Sequence, residues 1–143
     1  MIINPQKHDE YRWALNERGL ASRSLGEHQQ AIQIFKQVTE IAIIEKDKRA
    51  HAISLGNLGL VDHSLREDKR AVTFYKQDLE IAREIGDQYL EAISLENLGS
   101  DYLGLGKHEL AISFHHQSLE MSQEIHSRRI EARALSNLER VIN

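Results

Sequence analysis

The sequence has no cysteine, which excludes disulfide bridges, thiol nucleophiles and cysteine-ligated metal centres. One proline and eight glycines among 143 residues are too few for a loop-rich or low-complexity chain. No apolar run approaches the roughly 18 residues that a membrane span requires. The first residues also lack the basic region of a signal peptide. We therefore expect a cytoplasmic protein that has no membrane partner.

The sequence also has little excess of charge of either sign. The formal net charge is −4, although 28% of the residues are charged and 41% are hydrophobic. Proteins that bind nucleic acid without sequence preference rely on clustered lysine and arginine, so the balance predicts no nucleic-acid partner. The composition is typical of one soluble, ordered domain that is long enough to bury a core.

A short motif returns at a fixed interval. The chain reads LGNLG at 55–59, LENLG at 95–99 and LSNLE at 135–139. When residues 52–91 are placed over 92–131 without a gap, 16 of the 40 pairs are identical. A period between about 20 and 50 residues is the signature of a repeat architecture. The period predicts one domain over 1–143, with units at approximately 5–46, 47–86 and 87–126, then 127–143 as a capping helix or the truncated first helix of a fourth unit.

Each unit contains two helical patterns. Asp47, Asp87 and Ser127 are good N-cap residues and stand just before the runs 48–65, 88–105 and 128–142. Second helices are predicted over 28–45, 68–85 and 108–125, because apolar residues there recur on one helical face. Asn4 and Pro5 predict an opening helix from about Pro5 to Ser24. The total is about seven helices.

The turns inside the units differ in one residue. Gly26 and Gly106 end the first helices of units one and three, where glycine adopts a left-handed conformation most easily. Unit two has Arg66 at that position. Either its turn differs, or Arg66 bears a strain of about 1 kcal/mol.

The pattern L-x-N-L-G, then L-G, then A-I/V-x-x-F/Y, resembles the tetratricopeptide repeat. Its 40-residue spacing is closer to the long units of kinesin light chains and bacterial regulatory proteins. The resemblance implies an all-α, right-handed superhelical stack of antiparallel helix hairpins, with the first helices lining a concave groove. It also implies a non-enzymatic scaffold that binds a protein or an extended peptide. The family's aromatic near the start of the second helix matches Phe35 and Tyr75, but unit three has His115.

The recurring asparagines are the first candidate binding residues. Asn57, Asn97 and Asn137 lie within first helices, although asparagine is a mediocre helix former. In long-unit repeats that resemble these, the matching residues hold the backbone of a bound peptide, since an amide both donates and accepts. The alternative is that each Asn bonds a neighbouring helix and stabilises the stack. Unit one has Glu17 at this position.

Other positions that the repeat places in the groove are Trp13, Ile53, Leu60, His63, Glu96, Ser100 and Arg140. They predict a mixed polar and apolar groove without strong charge. The family's grip on a C-terminal carboxylate uses Lys, Asn and Arg. Of the matching positions only Asn57 fits, and both cations are lost, which argues against that mode; the positions are Asn16, Leu20, Asn57, Ile93 and Asn97.

Unit two carries two unusual carboxylates. Asp62 and Asp78 stand where the family usually has an aromatic residue and an alanine. A buried carboxylate needs a partner, and we expect Asp78 to accept a hydrogen bond from Tyr102. A catalytic pair of carboxylates is a weak alternative, because the fold offers no obvious enclosed pocket.

The eight histidines give no His-x-x-x-His pair, so the sequence predicts no metal site and no cofactor. The last helix has no second helix after it. Three interpretations remain open: it caps the stack, further repeats follow it, or it pairs with a second copy to form a homo-oligomer.

Overall fold

The computed structural model describes residues 5–143, with side chains from residue 9 onward. This part of the chain forms seven α-helices and no strand: α1 Pro5–Ser24, α2 His28–Ile44, α3 Lys48–Ser64, α4 Asp68–Ile85, α5 Gln88–Gly104, α6 His108–Glu124 and α7 Arg128–Ile142. The predicted helices are therefore confirmed to within a residue or two. The capping role predicted for Asn4 lies outside the described residues.

Three helices begin at a residue that caps them. Asp47 and Asp87 accept hydrogen bonds from the backbone N–H groups of Ala50 and Leu90, at 2.9 and 3.0 Å. Ser127 accepts from Ile130 at 3.4 Å. These bonds satisfy backbone donors that a helix start leaves free, so the 40-residue spacing of the caps fixes where each unit begins.

Every turn between helices contains one left-handed residue. Three of them are glycine, with φ between 70° and 79°, and three are Lys46, Arg66 and His126, with φ between 57° and 59°. At the turn that contains Arg66, the N–H of Glu67 donates to the carbonyl of Asp62 at 2.8 Å, and the N–H of Arg66 donates to the carbonyl of His63 at 3.0 Å. This is the Schellman pattern. Arg66 therefore keeps the family turn and bears the predicted strain.

Each hairpin closes over a ring that lies against a glycine. A Cβ added to Gly19 would lie 2.6 Å from the Phe35 ring, and one added to Gly59 would lie 2.5 Å from Tyr75. In unit three, a Cβ on Gly99 would lie 2.6 Å from His115. The three rings are at most 1% exposed. His115 is thus a buried packing residue in the position of the family's aromatic.

The first helices line the inner side of the stack. Each helix packs against the next one along the chain, and α1, α3, α5 and α7 also contact one another in order. Within residues 5–143 no such contact joins α2 to α4 or α4 to α6. The odd-numbered helices are therefore closer together, which places them on the concave side.

No helix in the described range is both long and apolar enough to span a bilayer.

Candidate binding groove and buried polar clusters

Four of the predicted groove residues line one pocket of about 210 Å³ on the concave side. They are Leu60 and His63 of α3 together with Asn97 and Ser100 of α5. The pocket is completed by Arg23 of α1, Arg133 of α7 and the buried ring of Tyr75 on α4. We call this the C-terminal pocket.

The C-terminal pocket carries more positive charge than the sequence predicted. Arg23 and Arg133 reach it from α1 and α7, and the Nε of Arg23 is buried without a hydrogen-bond partner in the described structure. The hydrogen bond between His63 and Asp101 raises the pKa of His63. Burial raises the pKa of Tyr75, so its hydroxyl stays protonated. The expectation of a groove without strong charge is wrong here, because it did not include Arg23 and Arg133 among the groove residues.

A second pocket of about 210 Å³ lies between α1 and α3. Trp13, which is 66% exposed, lines it together with Asn16 and Ile53. The Oδ1 of Asn16 is buried and has no partner among residues 9–143. We call this the N-terminal pocket. Its Trp13 ring and unpaired amide oxygen offer one apolar and one polar contact to a ligand.

Ion pairs hold one wall of the N-terminal pocket in place. Arg12 donates to Asp47 at 2.8 Å and to Asp9 at 2.8 Å. Burial alone would raise the pKa of Asp47, but the hydrogen bonds from Ala50 and Arg12 lower it below its usual value. Arg12 thereby links α1 to the cap of α3, which fixes the first two units relative to each other.

The three asparagines do not share one environment. Asn57 and Asn97 are partly exposed, and neither side chain forms a hydrogen bond within the described part of the chain. Asn137 instead donates from Nδ2 to Glu96 Oε1 at 2.6 Å. Asn137 thus fits the alternative interpretation, in which the amide bonds a neighbouring helix. Asn57 and Asn97 retain free amides.

Glu96 does not line the groove. It is 1% exposed, and its Oε1 lies 2.5 Å from Nδ1 of the fully buried His115. Burial by itself would raise the pKa of Glu96, but His115 and Asn137 lower it below its usual value. The prediction that Glu96 contacts a ligand is therefore wrong. The repeat placed it correctly on α5, but α6 and α7 cover it.

Asp78 is the corresponding buried carboxylate of unit two, and it comes from the second helix. A Cβ added to Gly56 would lie 2.7 Å from the Oδ2 of Asp78, so the carboxylate fills the space beside this glycine. Burial raises the pKa of Asp78 to about 7, and a hydrogen bond with Ser94 opposes this rise. In unit three Glu96 occupies the position equivalent to Gly56, and the small Ser118 occupies that of Asp78. At this one contact between the two helices of a hairpin, units two and three thus each bury a carboxylate, but from opposite helices.

The expected bond between Asp78 and Tyr102 is not formed in the described structure, where Ser94 faces Asp78 instead. The ring of Tyr102 stacks on Phe114, with centroids 5.3 Å apart. Asp62 is 3% exposed and accepts from Arg70 at 2.8 Å. The two carboxylates therefore have separate partners and form no shared site.

Sequence reasoning missed a third cluster of titratable groups. His63, Asp68 and Asp101 each place one ligand atom within 4.8 Å of the other two. Asp101 is fully buried; burial raises its pKa, Asp68 adds to the rise, and His63 opposes it. His63 and Asp101 are 38 residues apart, so a search at a period of 40 does not pair them.

Family models support the resemblance that the repeats showed. A tetratricopeptide repeat model matches residues 10–84, and a second one matches residues 92–129. The chain belongs to the tetratricopeptide repeat family. The comparison with curated proteins found no match.

Solved structures of this repeat family share the fold. BtubC from P. vanneervenii superposes with a TM-score of 0.81 at 19% identity, over 94% of this chain and 56% of that one. A STAND protein with a tetratricopeptide repeat sensor, from Pyrococcus horikoshii, gives 0.78 at 24% identity, over 95% of this chain and 21% of that one. Putative kinesin light chain repeats from Podosopora anserina give 0.70 at 16% identity, over 91% and 64%. This chain therefore spans about half of BtubC and a fifth of the STAND protein.

Proposed function

We propose that this protein is a non-enzymatic scaffold that binds an extended peptide along its concave groove. The observation that carries the proposal is the pair of free amides on Asn57 and Asn97, which lie at equivalent positions of α3 and α5. Asn97 also lines the C-terminal pocket. Membership of the tetratricopeptide repeat family supports protein interaction in general.

The spacing of the two amides suits a peptide backbone. Asn57 and Asn97 lie at equivalent positions of neighbouring first helices, and packed helices are about 8–10 Å apart. An extended chain covers roughly 3.3–3.6 Å per residue. The two side chains would therefore hold peptide groups about three residues apart, each amide donating one hydrogen bond and accepting another.

The pockets predict the side chains of such a peptide. Trp13 and Ile53 favour an apolar or aromatic residue in the N-terminal pocket. Arg23 and Arg133 favour a carboxylate in the C-terminal pocket. Arg133 is exposed, so its contribution to affinity should weaken as salt is added.

The double substitution Asn57→Ala and Asn97→Ala tests the groove. Peptides would first be selected from a displayed random library on the unmodified protein, and affinities would then be measured by calorimetry. We expect the double variant to keep its helical circular dichroism and to lose at least about tenfold in affinity, since two hydrogen bonds contribute roughly 1 kcal/mol each. Gln37→Ala with Gln77→Ala is the matched control, because these exposed amides are also 40 residues apart but lie on second helices. Equal affinity in both double variants would reject the proposal.

A second candidate function, self-association, is favoured by exposed apolar side chains at both ends of the stack. Ile43 and Ile44 are 53% and 79% exposed at the end of α2, and Leu135 and Ile142 are 50% and 66% exposed on α7. Units two and three have Glu84 and Glu124 at the position of Ile44.

Light scattering at two protein concentrations would test self-association. If the ends pair, the mass should rise with concentration, and Ile44→Glu should abolish the rise while the fold is kept. A monomer at both concentrations would exclude this function and leave the groove proposal intact.

A further inference from the structure

The cluster of His63, Asp68 and Asp101 is assembled by three different helices. His63 lies near the end of α3, Asp68 is the first residue of α4, and Asp101 lies on α5. His63 Nδ1 and Asp101 Oδ1 are 2.5 Å apart, and one ligand atom of Asp68 lies within 4.8 Å of the ligand atoms of the other two. Three potential ligands thus converge without belonging to any repeated motif.

Asp101 is the residue that the fold itself does not explain. It is fully buried, and its Oδ2 has no hydrogen-bond partner in the described part of the chain. The equivalent residues of units one and two are Ala21 and Val61, so the helical framework does not require a carboxylate at this position. Burial of a charged group without full pairing is unfavourable. A ligand that contacts Oδ2 would compensate for it.

Gly104 provides the space that Asp68 occupies. A Cβ added to Gly104 would lie 2.8 Å from Asp68 Oδ2, so the carboxylate lies against the end of α5. Units one and two have Ser24 and Ser64 at this position. A side chain at residue 104 would push Asp68 away from the cluster.

Two carboxylates at this distance repel each other unless they share a proton or a positive charge lies between them. One imidazole nitrogen with two carboxylate oxygens is a donor set for divalent transition metals, whereas Mg²⁺ and Ca²⁺ prefer oxygen ligands alone. We propose that His63, Asp68 and Asp101 bind a divalent transition-metal ion of the Zn²⁺ type on the wall of the C-terminal pocket. The metal replaces the direct contact between His63 and Asp101, and water or a group of a bound molecule completes its coordination.

The charge of Arg23 beside the site predicts the direction in which a substitution should change metal affinity. Arg23 lines the same pocket as His63, and its positive charge acts on the His63 ring. It should therefore weaken cation binding, and Arg23→Gln should tighten it. A purely structural cluster would not respond to metal in this way.

The experiment is calorimetric titration of Zn²⁺ into the chelator-treated full chain, with Mg²⁺ as a comparison. We expect one saturable Zn²⁺ site and no comparable heat from Mg²⁺. Asp101→Val and His63→Leu install residues that equivalent positions already have, Val61 and Leu103, so both variants should fold. Each should lose at least about tenfold in affinity, and circular dichroism at 222 nm would check that the helices persist.

Two further variants test whether Zn²⁺ binds at this cluster and not elsewhere. Gly104→Ser should weaken Zn²⁺ binding without removing any ligand, because it displaces Asp68. His116→Ala removes an exposed histidine outside the cluster and should leave binding unchanged. The absence of a saturable Zn²⁺ site in the unmodified protein would overturn the proposal. So would a site that persists at full affinity in Asp101→Val, since it would then belong to other histidines. The proposal does not depend on the peptide groove.

Discussion

Units two and three differ in which helix supplies the carboxylate buried between the two helices of the hairpin, at the level of residues 56 and 96. In unit two the acid is Asp78 of α4, and Gly56 of α3 leaves room for it. In unit three the acid is Glu96 of α5, and Ser118 of α6 is the small partner. The same interhelical space therefore accepts an acid from either helix, provided that the facing residue is small. Between these two units the interhelical space and its acid are kept, whereas the helix that supplies the acid changes.

The largest effect is expected when both acids are placed in one unit. Gly56→Glu would direct a second carboxylate at Asp78 and place its Cβ 2.7 Å from Oδ2. We expect a loss of roughly 4–5 kcal/mol in the free energy of unfolding, from overpacking and an unpaired buried charge. Adding Asp78→Ser gives unit two the acid and small residue of unit three, although Tyr75 stands in place of His115, and should recover part of the loss. Urea denaturation measures both, and equal stabilities of the single and double variants would contradict the exchange.

The partner of Glu96 supplies the second prediction. His115→Phe installs the ring that Phe35 provides in unit one, but it leaves Glu96 without its histidine. Removal of one member of a buried pair costs roughly 3–5 kcal/mol. The addition of Glu96→Gln should recover part of this cost, because the remaining group is then neutral. If His115→Phe alone is as stable as the parent protein in urea, the pair contributes nothing.

The third prediction concerns pH and Asp78. Its folded pKa of about 7 lies above the unfolded value of 3.8, so the folded state holds a proton that the unfolded state releases. The contribution of Asp78 to stability should therefore fall as the pH rises from about 4 to 7, by roughly 2–4 kcal/mol. Asp78→Asn should remove this slope, and the two proteins should differ most at pH 8. Denaturation at several pH values checks it; parallel curves would show that Asp78 does not carry the proton.

The smallest effect is expected in the turns. Arg66 adopts φ 59°, whereas the equivalent Gly26 and Gly106 adopt 79° and 75°. Arg66→Gly should stabilise the protein by up to about 1 kcal/mol, and Gly106→Arg should destabilise it by a similar amount. Thermal melts of the two variants should shift in opposite directions. Shifts of the same sign would mean that other interactions of the side chains outweigh the strain.

The helices, their caps and the left-handed turns could be predicted because each depends on a few adjacent residues and recurs at a fixed spacing. Asp47 illustrates this, since the repeat indicated its capping role. For Arg66 the repeat left two alternatives, and the structure shows the left-handed turn. The grouping of Leu60, His63, Asn97 and Ser100 also followed from equivalent positions on neighbouring helices.

The charged residues were harder to predict because their environment depends on side chains from other units. Glu96 was expected to be exposed, but His115 and Asn137 enclose it. Arg133 reaches the C-terminal pocket from α7, and Asp101 pairs with His63 at an offset of 38 rather than 40 residues. A repeat pattern describes what units share, whereas these contacts arise where the units differ.

Among the first helices of the described chain, each contacts only those of adjacent units, and this arrangement has a mechanical consequence. Within the described chain, α1 touches α3 and α3 touches α5, so small rotations at successive interfaces add along the groove. The two pockets lie at successive junctions of the first helices, and the distance between them can change without breaking either hairpin. A molecule that fills both pockets would therefore contact both junctions and hold them in one arrangement.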